Sequence, residues 1–174
     1  MRTLHAITLF ETALHEMIGK GILLKALKKK LFEFQTYDLR DFGAGKHKKI
    51  DDYPFSSQES MLCRVDVMSR AIQHVLTTHA NRAFRVIVPC PKGRPFTQAY
   101  STELAKAKED VLFVSTYYEG VDERLYRCFP IERVSLGDYI LNSGDGSSML
   151  FKAASELGIF GVLLFIFSFV IILK

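Results

Sequence analysis

This 174-residue sequence predicts an α/β fold, a largely parallel sheet covered by helices on both faces. Short β-branched and apolar runs alternate with amphipathic stretches of ten or more residues, the pattern of strands joined by helical crossovers. Two of the runs, FRVIVP at 84–89 and VLFVS at 111–115, are continuously apolar, as strands buried on both faces are. The length is that of one domain with a single core, and no internal repeat or low-complexity linker divides it.

In chain order, TLHAITLF at 3–10 is the first strand candidate. ETALHEMIGKGILLKALKKK then repeats Leu14, Ile18, Ile22 and Leu27 near helical spacing, which predicts a helix. LFEFQTYDL alternates Phe32, Phe34 and Thr36 with Glu33, Gln35 and Tyr37 and reads as a second strand. RDFGAGKHKKIDDYPFSSQES is rich in Gly, Lys, Asp and Ser and reads as a long loop. Loops of that length in a compact domain usually carry function or lack order. RVDVMSRAIQHVLTTHA places Val67, Ala71 and Val75 on one helical face; FRVIVP is a strand closed by an irregular turn, CPKGRP. Thr97 opens a helix over TQAYSTELAKAKED, VLFVS is a strand, and YYEGVDERLY is a turn entering a short helix. RVSLGDYIL is the final strand, ended by the turn NSGDGSS.

The hydrophobic fraction of 48% and the charged fraction of 24% are those of a globular protein. Cys63, Cys90 and Cys128 show no CxxC or metal-ligand spacing, which predicts reduced thiols and a cytoplasmic protein. The opening MRTLHAITLF lacks the apolar core and cleavage pattern of a secretory signal. Charge is uneven: Lys20 to Lys49 holds nine Lys or Arg against three acids. Such a segment is either a solvated helix face followed by a loop or an electrostatic footprint for phosphates.

In parallel sheets the ligand site lies outside the carboxyl ends of the strands. Three predicted ends carry glycine: CPKGRP, YYEGVDER and GDYILNSGDG. Glycine there lets backbone approach a ligand, although each stretch alone also reads as a simple turn. Standard nucleotide signatures fail. GAGKHKK has Arg40 where a phosphate loop needs its first Gly and His47 where it needs Ser or Thr, and no GxGxxG follows a strand. His47, His74 and His79 have no partners at zinc-ligand spacing. In EGVDERL the acids either cap the short helix, or Glu119 and Arg124 face a ligand or subunit interface.

Together, ITLF at 7–10, RDF at 40–42, KH at 46–47, DD at 51–52, GRPFTQ at 93–98, YEGVDERL at 118–125 and SLGDYIL at 135–141 resemble one family. It is the bacterial tRNA (guanine-N1)-methyltransferases of the SPOUT class, and the resemblance runs through residues 1–163. It implies methyl transfer from S-adenosylmethionine to N1 of the guanine 3′ of the anticodon in tRNA. It further implies a C-terminal deep trefoil knot that holds the cofactor and an antiparallel homodimer with active sites at the interface. Pro91, Gly93, Thr116, Glu119, Gly120, Ser135, Leu136, Gly137, Tyr139, Leu141 and Gly144 match the cofactor loops. Lys46, His47, Lys48 and Lys49 become candidates for the tRNA backbone.

The sequence also departs from the family. SSQESM at 56–61 replaces a glycine-rich stretch, Thr116 and Tyr117 replace a Gly and an Arg, and Ser143, Gly146 and Ser147 replace a Gly, a Leu and a Pro. A Cβ at Thr116 or Ser143 narrows a backbone approach, so weaker cofactor binding is expected. The family's catalytic Arg falls on Leu157, and its Asp lies in a linker that this sequence does not include, so no catalytic residue is carried over. The family's C-terminal tRNA-binding domain is likewise not included, and the expectation is a truncated or frameshifted, impaired enzyme. A non-catalytic cofactor- or RNA-binding relic is the alternative.

Leu157 to Leu173 is uncharged and ends at Lys174. As a helix it would span about 26 Å, short of the ~30 Å hydrocarbon core. LGIFGVL at 157–163 stays in the family's register, which favours a soluble-domain helix running into a foreign apolar extension at 164–174 over a tail anchor.

Overall fold

Five parallel strands form the centre of the computed structural model, which describes residues 2–52, 62–116 and 120–137. They are β1 (Thr3–Thr8), β2 (Glu33–Asp38), β5 (Phe84–Pro95), β6 (Asp110–Val114) and β7 (Ile131–Ser135). Their order is β2-β1-β6-β5-β7, and every pairing is parallel. β3 (Asp51–Asp52) and β4 (Leu62–Cys63) make a separate antiparallel pair.

Side chains of the sheet alternate between two cores. Leu4, Ala6, Ile87, Val111 and Phe113 pack with Leu14 and Ile18 of α1 (Glu11–Ile18), Leu23 and Ala26 of α2 (Gly21–Lys28), and Tyr100 and Leu104 of α4 (Gln98–Lys106). Ile7, Val86, Val88, Leu112 and Val114 pack with Val67, Met68, Ala71, Ile72 and Val75 of α3 (Val65–Thr78) and Leu125 of α5 (Leu125–Cys128). Helices therefore cover both faces, as the continuously apolar strands predict. Each fully buried Leu, Ile or Phe contributes roughly 1.5–3 kcal/mol. Thr97 opens α4 by accepting a hydrogen bond from the Tyr100 N–H at 3.3 Å. Thr97→Ala is expected to lower stability by about 1 kcal/mol in urea melts.

Three expectations are corrected. The stretch after β1 is two helices: Gly19 ends α1, Lys20 is extended, and α2 begins at Gly21. Glycines on both sides of Lys20 lose the most entropy in a continuous helix, and the two short helices each turn an apolar side to the sheet. Residues 40–52 of the predicted long loop have their own structure, and 53–60 lie outside the described residues. Leu39–Phe42 is a 3₁₀ turn, a hairpin closes between Ala44 and Lys49, and β3 follows, because buried Leu39 and Ile50 pin the segment beside α3. Finally, CPKGRP does not end its strand: β5 runs on to Pro95 with an interruption.

A polar cluster surrounds the buried side chains of His5 and Asp110. His5 is 0% exposed; its Nδ1 lies 3.1 Å from the Tyr37 hydroxyl, which lies 3.1 Å from His79 Nε2. Asp110 accepts from the Thr3 N–H at 2.8 Å and from Arg82 Nη1 at 2.7 Å, with His5 Nε2 3.7 Å away. Among the described residues no helix is long and apolar enough to cross a membrane, and the run from 157 lies outside them.

Candidate functional site

The order β6-β5-β7 sets three predicted loops side by side at the carboxyl ends of adjacent strands. The first is an excursion in β5. Pro89 pairs with Val134 of β7, residues 90–93 leave the ladder, and Arg94 returns to the same Val134. Pro91 and Lys92 are exposed, and Cys90 and Gly93 are half-buried. The second follows β6. Ser115 is buried, with its N–H donating to the Ile7 carbonyl at 3.0 Å, and half-buried Thr116 follows. The third follows β7, where the Ser135 hydroxyl donates to the Gly137 carbonyl at 3.1 Å and accepts from its N–H at 3.3 Å. Leu136 packs on the core beneath α1, α2 and α4. The side chains of Ser135 and Leu136 are thus engaged by the fold, and the Ser135 carbonyl accepts from the Phe96 N–H at 2.7 Å. Glu119, Tyr139, Leu141, Gly144 and Leu157 lie outside the described residues.

Gly120 takes φ +118°, a conformation that side-chain-bearing residues rarely adopt, and a Cβ built there would meet nothing within 4 Å among the described residues. Its carbonyl accepts from the Cys63 N–H at 3.1 Å, and Cys63 bridges to Val121. The β3-β4 pair is therefore tied to the second loop. Burial, aided by the charge of Asp51, pushes the Cys63 thiol up to about 12, so it is an inert structural group.

That tie also places the basic turn. Ala44 and Lys49 exchange backbone hydrogen bonds of 2.8 and 2.9 Å, and Lys46, His47, Lys48 and Lys49 are all exposed around the hairpin. Immediately after it, the Ile50 carbonyl accepts from the Arg64 N–H at 2.9 Å, next to Cys63. Lys48 is matched by Asp41 at 2.8 Å and Lys49 by Asp52 at 3.3 Å. Among the described residues Lys46 and His47 make no ion pair, so Lys46 presents the net positive charge of the turn.

In EGVDERL no side chain caps α5, whose N-cap is Arg124; Asp122 instead bonds the residue that precedes the helix. It accepts from the Arg124 N–H at 2.9 Å and grips the guanidinium at 2.6 to 3.0 Å, which holds its carboxyl below the usual range. Glu123 accepts two hydrogen bonds from the Arg133 guanidinium, which lies 3.5 Å from the Tyr126 ring centre. Arg124 is exposed, with Asp122 as its partner. A further charged cluster, Arg85, Arg94, Tyr100 and Glu132, braces the excursion and has no signature in the sequence.

Residues 1–164 match the family described as tRNA (Guanine-1)-methyltransferase TrmD. The chain is similar to several proteins named tRNA (guanine-N(1)-)-methyltransferase. It is 36% identical to that of Rickettsia akari over 147 residues, 83% of this chain and 62% of that protein. It is 34% identical to that of Staphylococcus epidermidis over 157 residues, 90% of this chain and 62% of that protein. With that of Clostridioides difficile it shares 33% over 141 residues, 81% of this chain and 61% of that protein. The chain therefore spans about three fifths of the length of the curated relatives it matches.

Proposed function

The chain belongs to the tRNA (guanine-1)-methyltransferase family, and from that premise we propose that it binds S-adenosylmethionine at the carboxyl ends of β5, β6 and β7 and methylates N1 of the guanine 3′ of the anticodon in tRNA. The observation that carries this reading is the convergence of the three loops on adjacent strands, with the exposed basic hairpin tied to the Gly120 loop. The described residues fit such a cofactor: none of them lies within 4 Å of a Cβ built on Gly120, and Pro91, Gly93 and Thr116 stand at the neighbouring ends. The C-terminal knot and the homodimer belong to the same proposal.

When bound, S-adenosylmethionine supplies a methyl group made electrophilic by its sulfonium. The chain's part is to hold and orient: backbone around 91–93, 116, 120 and 135–137 lines the cofactor, and Lys46 and His47 hold tRNA phosphate. Guanine N1 carries a proton, so transfer requires a base to remove it and a cation to stabilise charge on O6. Position 157, where the family carries that cation as Arg, is leucine here. The proposed activity is therefore reduced, by roughly 10²–10³-fold for one missing electrostatic partner.

The test is methyl incorporation into unmodified tRNA at saturating S-adenosylmethionine, with the product base identified as 1-methylguanine. Incorporation elsewhere, or none above background, would end the proposal as an activity. Leu157 and the Cβ of Thr116 favour a second reading, a binding relic. Calorimetric binding of S-adenosylmethionine without turnover is its expected result.

For the basic hairpin, Lys46→Ala is expected to weaken tRNA binding and to flatten the plot of log affinity against log salt by about one unit. Lys92→Ala, at the exposed tip of the β5 excursion, measures the effect of removing a lysine from outside the hairpin.

A further inference from the structure

Glu132 of β7 stands where both limbs of β5 meet α4. Its carboxylate accepts from Arg85 Nε and Nη2 at 2.7 and 2.9 Å, from Arg94 Nη2 at 3.0 Å and from the Tyr100 hydroxyl at 2.9 Å. Arg85 lies at the start of β5 and Arg94 at its end, on opposite sides of the 90–93 excursion. The Arg94 guanidinium also lies 3.5 Å from the Tyr100 ring centre. Glu103 of α4 approaches Arg85 at 2.8 Å but Arg94 only at 3.9 Å, so Arg94 depends on Glu132.

The ladder alone does not set the shape of the excursion, because both limbs meet the same residue, Val134. The return limb continues the ladder through Pro95 opposite Ser135 and the Phe96 N–H on the Ser135 carbonyl, and it adds a side-chain anchor: Arg94, stacked on Tyr100 and bonded to Glu132. Burial opposes ionisation of Glu132, and Arg85, the Tyr100 hydroxyl and Arg94 outweigh it, so the carboxyl stays below its ordinary range. An anionic, multiply bonded carboxylate of this kind is a stiff junction.

We infer that Glu132 is a positioning residue: through Arg94 it fixes the 90–93 excursion and with it the backbone offered to the cofactor. The link to the cofactor rests on the proposed function; the anchoring does not. Cys90 lies inside the excursion and reports on it without any ligand, while Cys128 is exposed and Cys63 is buried.

The experiment follows maleimide labelling of each thiol by mass spectrometry in the unaltered chain, in Glu132→Gln, in Arg94→Met and in the double variant. Cys90 is expected to label at least about fivefold faster in either single variant. Cys63 and Cys128 should keep their rates, and the double variant should match the singles, since both changes break one anchor. An unchanged Cys90 rate in a folded variant overturns the inference. So does a parallel rise at Cys63, which would mean general loosening. Where Glu132→Gln does not fold, Arg94→Lys, which keeps the charge but loses the planar stack, carries the same readout.

The cofactor arm is separate. Saturating S-adenosylmethionine should slow Cys90 labelling in the unaltered chain, and its dissociation constant should rise about tenfold in the variants. Equal affinity in the variants removes the positioning role. Failure of the unaltered chain to bind counts against the proposed cofactor, while the ligand-free labelling still decides the anchoring.

Discussion

Gly93→Ala is expected to destabilise the fold by about 3 kcal/mol or more, the size seen when a core is forced to accept atoms for which it has no room. A Cβ at position 93 would lie 2.4 Å from the Val134 nitrogen, 2.5 Å from the Arg133 carbonyl carbon and 2.7 Å from its oxygen. All three are backbone atoms of β7, so no rotamer change relieves the clash. Either the excursion lifts from β7 or β7 itself shifts, and the same strand receives the Phe96 N–H on its Ser135 carbonyl at 2.7 Å. In urea the midpoint should fall with an unchanged slope. Gly120→Ala is the useful contrast. Among the described residues its Cβ meets nothing within 4 Å and φ +118° is what opposes it, so its cost is that of local strain, about 1–3 kcal/mol. A melt of Gly93→Ala that matches the unaltered chain would show that the excursion does not lie against β7.

Gly93 also shows where reading the sequence stops. Its glycine was legible as a close approach of backbone, but the single chain does not say what it approaches. The nearest neighbour is a strand some forty positions later, and the register that brings it there is set by long-range pairing. Strand identity was more legible, because FRVIVP and VLFVS need apolar cover on both faces whatever their neighbours are. Their adjacency was not, since the order β2-β1-β6-β5-β7 depends on where the crossovers return. Local chemistry that competes with pattern was misread in the same way. Leu14, Ile18, Ile22 and Leu27 keep nearly helical spacing across a break at Lys20, and two isolated apolar residues, Leu39 and Ile50, help to seat residues 39–50 beside α3. Glu132 left no trace, because a half-buried carboxylate and an exposed one are the same letter.

The buried His5 cluster predicts acid sensitivity well before the carboxylates titrate. Burial first, and then the neighbouring His79, push the His5 imidazole down from 6.5 to about 4, against the opposing pull of Asp110. Between those two values the unfolded chain binds a proton that the folded chain refuses, so stability falls as pH falls from 6.5 towards 4 and is complete above 6.5. The full difference corresponds to about 3 kcal/mol. Hydrogen bonding gives the reason in detail. Burial raises the Tyr37 hydroxyl to about 12, so it keeps its single proton throughout. A consistent chain has His79 Nε2–H donating to the Tyr37 oxygen and the Tyr37 O–H donating to His5 Nδ1, with His5 Nε2–H turned towards Asp110. Protonating Nδ1 sets donor against donor, so the Tyr37 O–H must give up its bond to His5. Asp110, held below the usual carboxylate range by Thr3 and Arg82 against the opposing effect of burial, adds a further loss below about pH 4. Urea midpoints measured from pH 7 to pH 4.5 should therefore decline. In His5→Gln, whose amide still accepts from Tyr37 but does not titrate, the decline should flatten even though the variant starts less stable. Parallel declines in the two proteins would move the acid sensitivity to other groups.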